Sequence, residues 1–355
     1  PHMGWPEALA TLEAIESNAS SAGREWAWGL LCRLLDRRYD TGSLRRSRWI
    51  DSVEASLIRT ISAARHQPCD SFTGQMTPGH RPVPDSDTQG IVVDARPYPP
   101  EGPDSLALEL VALHKAGWNR FVLLHCRGHR FIGNGFGPHT SDVEIDVLGA
   151  VGDYLGSGSD GMRITMHGNA QDQVAQIHKA GELVVHGDVG QCYGYGAKGG
   201  RLFVLGNAAG RPMINAVGSP KVIINGTALD YLAESFMAGD PLDGGGFVII
   251  NGMRFDQHGE MLALETPYPG GNLFSLASGG AIYVRDPHKR LSDSQLNGGA
   301  FTEMIDEDWA VVEPMLQRNE EHFGIPLQRL LTVGGELTSP AEVYRKIIPV
   351  KSKTL

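Results

Sequence analysis

The strongest constraint on this chain is a spacing of glycines. Gly149, Gly168, Gly187, Gly206, Gly226 and Gly252 follow one another at intervals of 19, 19, 19, 20 and 26 residues, each closing a short apolar segment. A fixed period of this length marks a solenoid, in which each unit buries its apolar face against its neighbours. Alignment on the glycines gives columns. Four positions before them stand Ile145, Ile164, Leu183, Leu202, Val222 and Val248, and two before stand Val147, Met166, Val185, Val204, Ile224 and Ile250. Five before stand Glu144, Arg163, Glu182, Arg201, Lys221 and Phe247, so nearly every unit keeps the alternation of a strand with one buried face. Units near 19 residues are too short for a helix pair, and the expected fold is a mainly β parallel β-helix.

The second half of each unit has columns of its own. Small apolar residues stand two after the glycine (Val151, Ala170, Val189, Ala208, Ala228) and larger ones six after it (Leu155, Val174, Tyr193, Leu232). Asp153, Asp172 and Asp230, four after it, are expected to accept hydrogen bonds from turn backbone. One column breaks the alternation: Val184, Phe203, Ile223 and Ile249, three before the glycine, form an outward apolar stripe that follows Asp146 and Thr165. Such a stripe needs a cover, either this chain's helices or another subunit. His167 and His186 share a further outward column with Leu205, Asn225 and Asn251, which reads as a polar surface ladder rather than a metal site.

The rest of the chain divides around this centre. Residues 4–66 carry apolar residues at helical spacing and read as an α-helical N-terminal extension, whose run Arg45-Arg46-Ser47-Arg48 suits a solvated helix junction. Residues 67–90, with Pro68, Pro78, Pro82 and Pro84, read as a linker. Residues 91–140 read as a β-α-β lead-in whose helix takes Asp104 as its N-cap and stops at Gly117. The β-helix is placed at 141–286, and a C-terminal helical cap with a final strand at 287–355.

Composition narrows the function classes. Thirty-one basic against 41 acidic residues give a formal charge of -10, which disfavours a nucleic-acid partner. No apolar run nears the ~20 residues that span a bilayer, so no membrane partner is expected. The four cysteines, Cys32, Cys69, Cys126 and Cys192, form no CxxC pair, which fits a reduced, cytoplasmic chain without its own zinc or iron–sulfur site.

Two strings match the dinucleotide fingerprint GxGxxG: Gly156-Ser157-Gly158-Ser159-Asp160-Gly161 and Gly194-Tyr195-Gly196-Ala197-Lys198-Gly199. They lie 38 residues apart, twice the repeat, and lead into strands, so they read as solenoid corners that need positive φ. His125, Cys126 and His129, with His139 nearby, are the one compact set of possible metal ligands or nucleophile partners, although no third orienting group follows from the sequence and structural use is the expectation.

The strings from His167 to Asn207 and from Ala277 to Asp286 (ASGGAIYVRD) resemble the GXGXG domain, the right-handed β-helix that closes the large subunit of glutamate synthase. The lead-in from Ile91 is similar to stand-alone versions of this domain, and AEVYRKIIPVK (Ala341 to Lys351) looks like its last helix and strand. The resemblance implies a right-handed β-helix without catalytic residues or cofactor of its own. It implies a structural or assembly subunit of an amidotransferase or oxidoreductase complex in nitrogen metabolism. Partner chains would then supply the glutaminase and the flavin barrel with FMN and an iron–sulfur cluster. The same β-helix occurs in one of the subunits of formylmethanofuran dehydrogenase, so a complex of that kind is an alternative. A self-sufficient enzyme centred on His125, Cys126 and His129 is another, and a homo-oligomer fits as well. The 5–66 helical segment and the insertion between Gly252 and Gly279 depart from the family pattern.

Overall fold

The computed structural model describes residues 4–62, 72–74, 78–84 and 90–350, so most of the expected linker lies outside the described residues. The chain opens with three helices, α1 (Trp5–Ala22), α2 (Arg24–Asp36) and α3 (Arg46–Ser62). Strands β1 (Phe72–Gly74) and β2 (Gly90–Asp94) follow, then α4 (Leu106–Lys115) and β3 (Arg120–His129). The helix α4 starts one residue later than expected, with Ser105 rather than Asp104 at the N-cap.

The solenoid strands are β4 (Glu144–Val151), β5 (Asp160–Met166), β6 (Ala180–Val185), β7 (Arg201–Val204), β8 (Lys221–Ile224) and β9 (Phe247–Ile250). A hairpin of β10 (Met253–Phe255) and β11 (Met261–Ala263) fills the expected insertion, before β12 (Ala281–Arg285) and β13 (Gly299–Thr302). The chain ends with α5 (Asp306–Phe323), α6 (Leu327–Leu331), a hairpin of β14 (Thr332–Val333) and β15 (Glu336–Leu337), α7 (Pro340–Val343) and β16 (Tyr344–Pro349).

Twelve strands form one sheet in the order β1-β2-β3-β4-β5-β6-β7-β8-β9-β12-β16-β13. Pairing is parallel from β1 to β12, and β16 then runs antiparallel to both β12 and β13. The register is that of the glycine-aligned columns: Ile145, Ile164, Leu183, Leu202, Val222 and Val248 stand side by side. Ile91 and Phe121 extend the same row before it, and Ile282 after it. All of these side chains are buried in one continuous core, together with Leu155, Val174, Tyr193 and Leu232 from the opposite wall. Bridges from Ala170 through Val189 and Ala208 to Ala228 make a second wall of the coil.

The third wall consists of turns with an unusual backbone. Residues five, seven and nine after Gly149, Gly168, Gly187, Gly206 and Gly226 take positive φ, as at Gln173, Ala175 and Ile177 (56°, 59° and 53°) and at Cys192, Gly194 and Gly196 (57°, 67° and 62°), and Asn272, Phe274 and Leu276 do so after the insertion. Both GxGxxG strings fall here, as corners, but most residues in these columns are not glycine. A left-handed conformation costs an L-residue about 1 kcal/mol, and the neighbouring rungs hold it in place. The Gln173 and Ile177 amides donate to the carbonyls of Gln191 and Tyr195 in the next rung, while Ala175 N–H donates to Leu155 in the previous one.

Helices cover the outer face of the sheet in two layers. α1, α2 and α3 pack on Val92, Val122, Leu124 and Leu148, while α5 and the segments after it pack on Val184, Phe203, Ile223, Ile249 and Tyr283. The outward stripe is therefore fully buried, and its cover comes from this chain's own C-terminal part.

Candidate functional site

The two helical layers meet over the polar stretch of the outward column, at Asp146 and Thr165. Here α2 ends, and its last residue, Asp36, points at the rungs: both carboxylate oxygens lie 3.0 Å from His167 Nδ1. The other ring nitrogen of His167 lies 3.2 Å from Asp146 Oδ1. Burial alone would push the His167 imidazole towards neutrality, but the two carboxylates outweigh it and raise its pKa to about 10, so the ring is cationic. Asp36 is itself held below the usual carboxylate range by the cationic His167, against the cost of burial.

His186 stacks on His167, with ring centroids 5.8 Å apart and planes 6° from parallel. Its pKa is pushed down to about 4, first by burial, so this second imidazole is neutral. Trp28 meets His167 edge-on and Phe323 meets His186 edge-on, closing the seam from the α2 and α5 sides. The expected surface ladder is thus a buried one, because the helices that cover it come from distant parts of the sequence. Among the described residues, Asp36, His167 and His186 are the group whose ligand atoms, all within 4.8 Å of one another, could hold a metal ion.

Arginines bind the layers together. Arg38 donates to the His186 carbonyl at 3.0 Å, and Arg37 donates to the carbonyls of Glu320 and Glu321 at the end of α5, where the helix dipole is negative. Glu182, expected to face solvent, is buried because Arg318 and His322 of α5 and Arg201 of the next rung converge on its carboxylate. Further along, Asn225, Asn251, Asn319 and Tyr344 form a buried hydrogen-bonded chain, so these four polar side chains are paired with one another beneath the helices.

The set His125, Cys126 and His129 lies at the irregular part of β3, where His125 takes a φ of 58°. Burial pushes the Cys126 thiol up to about 12, with Asp94 adding to the effect, so it is no thiolate at neutral pH. His129 is buried with Nδ1 accepting the Arg127 amide at 2.9 Å and Nε2 lying 3.1 Å from the Tyr98 carbonyl, to which it donates. Neither nitrogen is left to take a proton from a nucleophile. His139 is exposed.

The repeat glycines have a structural role that the sequence shows only indirectly. Asn169, Asp188 and Asn207, one residue after successive glycines, each accept the amide of the equivalent residue in the next rung, at 2.8, 2.7 and 3.0 Å. A Cβ on Gly187, Gly206 or Gly226 would collide with this ladder and with the preceding rung's backbone. The Asp153, Asp172 and Asp230 column makes a second ladder, accepting the amides of Asp172, Gln191 and Gly271 at 3.3, 2.8 and 2.6 Å.

A family model described as GXGXG motif matches residues 122–338, from within β3 to just past β15. The chain belongs to the GXGXG family, the C-terminal domain family of the glutamate synthase large subunit. Within the matched region Gly156 and Gly158, then Gly194 and Gly196, occupy the left-handed turn columns. In this GXGXG chain α1, α2, α3, β1, β2 and α4 precede the matched region, so Asp36 comes from outside it while Asp146, His167 and His186 lie within it. No curated protein matches the chain.

Proposed function

We propose that this GXGXG chain is a non-catalytic assembly subunit of a glutamate-synthase-like amidotransferase or oxidoreductase complex, cytoplasmic, with the glutaminase and the FMN and iron–sulfur centres in partner chains. The observation that carries the reading is the family match over residues 122–338, which spans nearly the whole solenoid and α5. The chemistry of the buried groups supports it. His129, Cys126, Glu182 and His167 are committed to backbone contacts, burial or ion pairs that hold helices on rungs, which is the work of a scaffold. No helix among the described residues is long and apolar enough to cross a membrane.

The two helical layers use up one face of the sheet, which leaves the other walls for partners. The turn wall carries exposed apolar side chains, Ile177 (39 % exposed), Met237 (48 %) and Leu276 (77 %). Affinity purification of the chain from its native cells, followed by mass spectrometry, tests the reading. A flavin-barrel chain and a glutaminase-type chain at comparable stoichiometry are expected. Recovery of the chain alone, or with molybdopterin-type and amidohydrolase-type chains, would overturn it.

A further inference from the structure

We propose that Asp36, His167 and His186 form a binding site for a divalent transition metal ion, Zn2+ in the first instance, with Asp146 as the outer carboxylate that orients His167. The starting observation is His186. Its Nδ1 is buried without a partner. Its Nε2 faces Asp36 Oδ2 at 3.6 Å, too far for a hydrogen bond. Nε2 is the nitrogen turned towards Asp36 and is the one an ion would take; an ion is one of the standard reasons for a buried imidazole nitrogen without a hydrogen bond.

The distances suit an ion. Zinc bonds of about 2.0–2.1 Å in a tetrahedral arrangement place neighbouring ligand atoms about 3.3 Å apart. The Asp36–His186 separation of 3.6 Å and the Asp36–His167 separation of 3.0 Å bracket that value. Asp146, on His167 Nε2 at 3.2 Å, sits where the carboxylate partner of a metal-bound histidine belongs, fixing the ring so that Nδ1 faces the ion. Trp28 and Phe323 supply an apolar wall on either side.

The charges also balance. Without an ion, the two carboxylates hold a cationic His167; binding releases the Nδ1 proton to solvent, and a dication then faces two carboxylates and two neutral imidazoles. Because Asp36 lies on α2 and the histidines lie on adjacent rungs, the ion would bind the N-terminal helical layer to the solenoid. This inference does not depend on the complex proposed above. The ligand set takes one member from outside the matched region, so it is a property of this chain's added helices.

The full chain, stripped with a chelator and titrated with Zn2+, is expected to take up about one equivalent, with a rise in melting temperature. Co2+ in its place should give visible d–d absorption. His186→Leu should keep its circular dichroism and its melting curve in chelator, since the side chain makes no hydrogen bond. It should bind zinc at least roughly 100-fold more weakly, and Asp146→Asn roughly 10- to 100-fold more weakly. His258→Ala, at an exposed histidine 3.4 Å from Asp40, should bind as the unmodified chain does. Failure of the unmodified chain to bind zinc, or equal affinity in His186→Leu, would overturn the proposal.

Discussion

Arg318 holds the carboxylate of Glu182, 136 positions away in the chain, through Nε at 3.1 Å and Nη2 at 2.7 Å. This fork–fork pair fastens α5 to the middle of the sheet. Arg201 reaches the same carboxylate at 3.0 Å from a half-exposed position. Arg318→Met should therefore destabilise the fold by about 2 kcal/mol, because a buried carboxylate loses its best partner. Arg201→Met should cost less than about 1 kcal/mol. Denaturant melts of the two variants check the order. His322 and the arginines outweigh burial and hold the Glu182 carboxyl far below the usual range. Its stabilising contribution is thus complete above about pH 4.5 and declines as the pH falls below that value.

His178 gives a second pH dependence of different origin. It is buried in the solenoid, its Nδ1 lies 2.6 Å from Ser159 Oγ, and burial pushes its pKa down to about 4. The unfolded chain binds the proton near pH 6.5 and the folded chain does not, so stability is full above about 6.5 and falls on acidification towards 4. At about pH 5 the loss from this group is about 2 kcal/mol. Melting curves at about pH 7.5 and about pH 5 should show a smaller drop for His178→Gln than for the unmodified chain.

The glycine columns separate two demands on the backbone. At Gly206 the obstacle is space: an added Cβ would lie 2.9 Å from the Gly187 carbonyl oxygen and 3.0 Å from Asp188 Cγ. Gly206→Ala should cost about 2 kcal/mol or more. At Ala175 the obstacle is φ, 59°, which glycine adopts freely, so Ala175→Gly should change stability by less than about 1 kcal/mol. Thermal unfolding of both variants distinguishes a close-packed column from a strained one.

Much of this architecture is legible in the sequence. The strand register is readable because stacked rungs impose the same inward and outward positions on every unit, so Ile145 to Val248 and Val147 to Ile250 repeat without exception. The covering of Phe203 is foreshadowed by its apolar character at an outward position. What covers it, and what lies over His167, is not readable. Asp36 meets His167 across 131 residues, and nothing local in α2 marks Asp36 as aimed at a rung. The left-handed turns are visible only at Gly156, Gly158, Gly194 and Gly196. At Gln173, Met213 or Ser235 the inter-rung hydrogen bonds impose positive φ on residues that do not favour it.

The covered stripe makes a further prediction. Phe203 is buried between the sheet and α5, in edge contact with His322 at 4.9 Å. Phe203→Glu should prevent α5 from docking and leave a poorly folded chain, rather than a folded chain that fails to assemble, since the cover is intramolecular. Ile224→Val should cost about 1 kcal/mol, and Val204→Asp several, in the core behind it. Limited proteolysis of Phe203→Glu, with the cleavage sites mapped to α5, is the check.

The scaffold reading is tested most directly by the visible absorption spectrum of the isolated, folded chain, recorded with a glutamine-hydrolysis assay on the same sample. No stoichiometric flavin or iron–sulfur absorption and no release of ammonia from glutamine are expected, with both signals present in the complex purified from native cells. A stoichiometric flavin spectrum or sustained turnover in the isolated chain would contradict it.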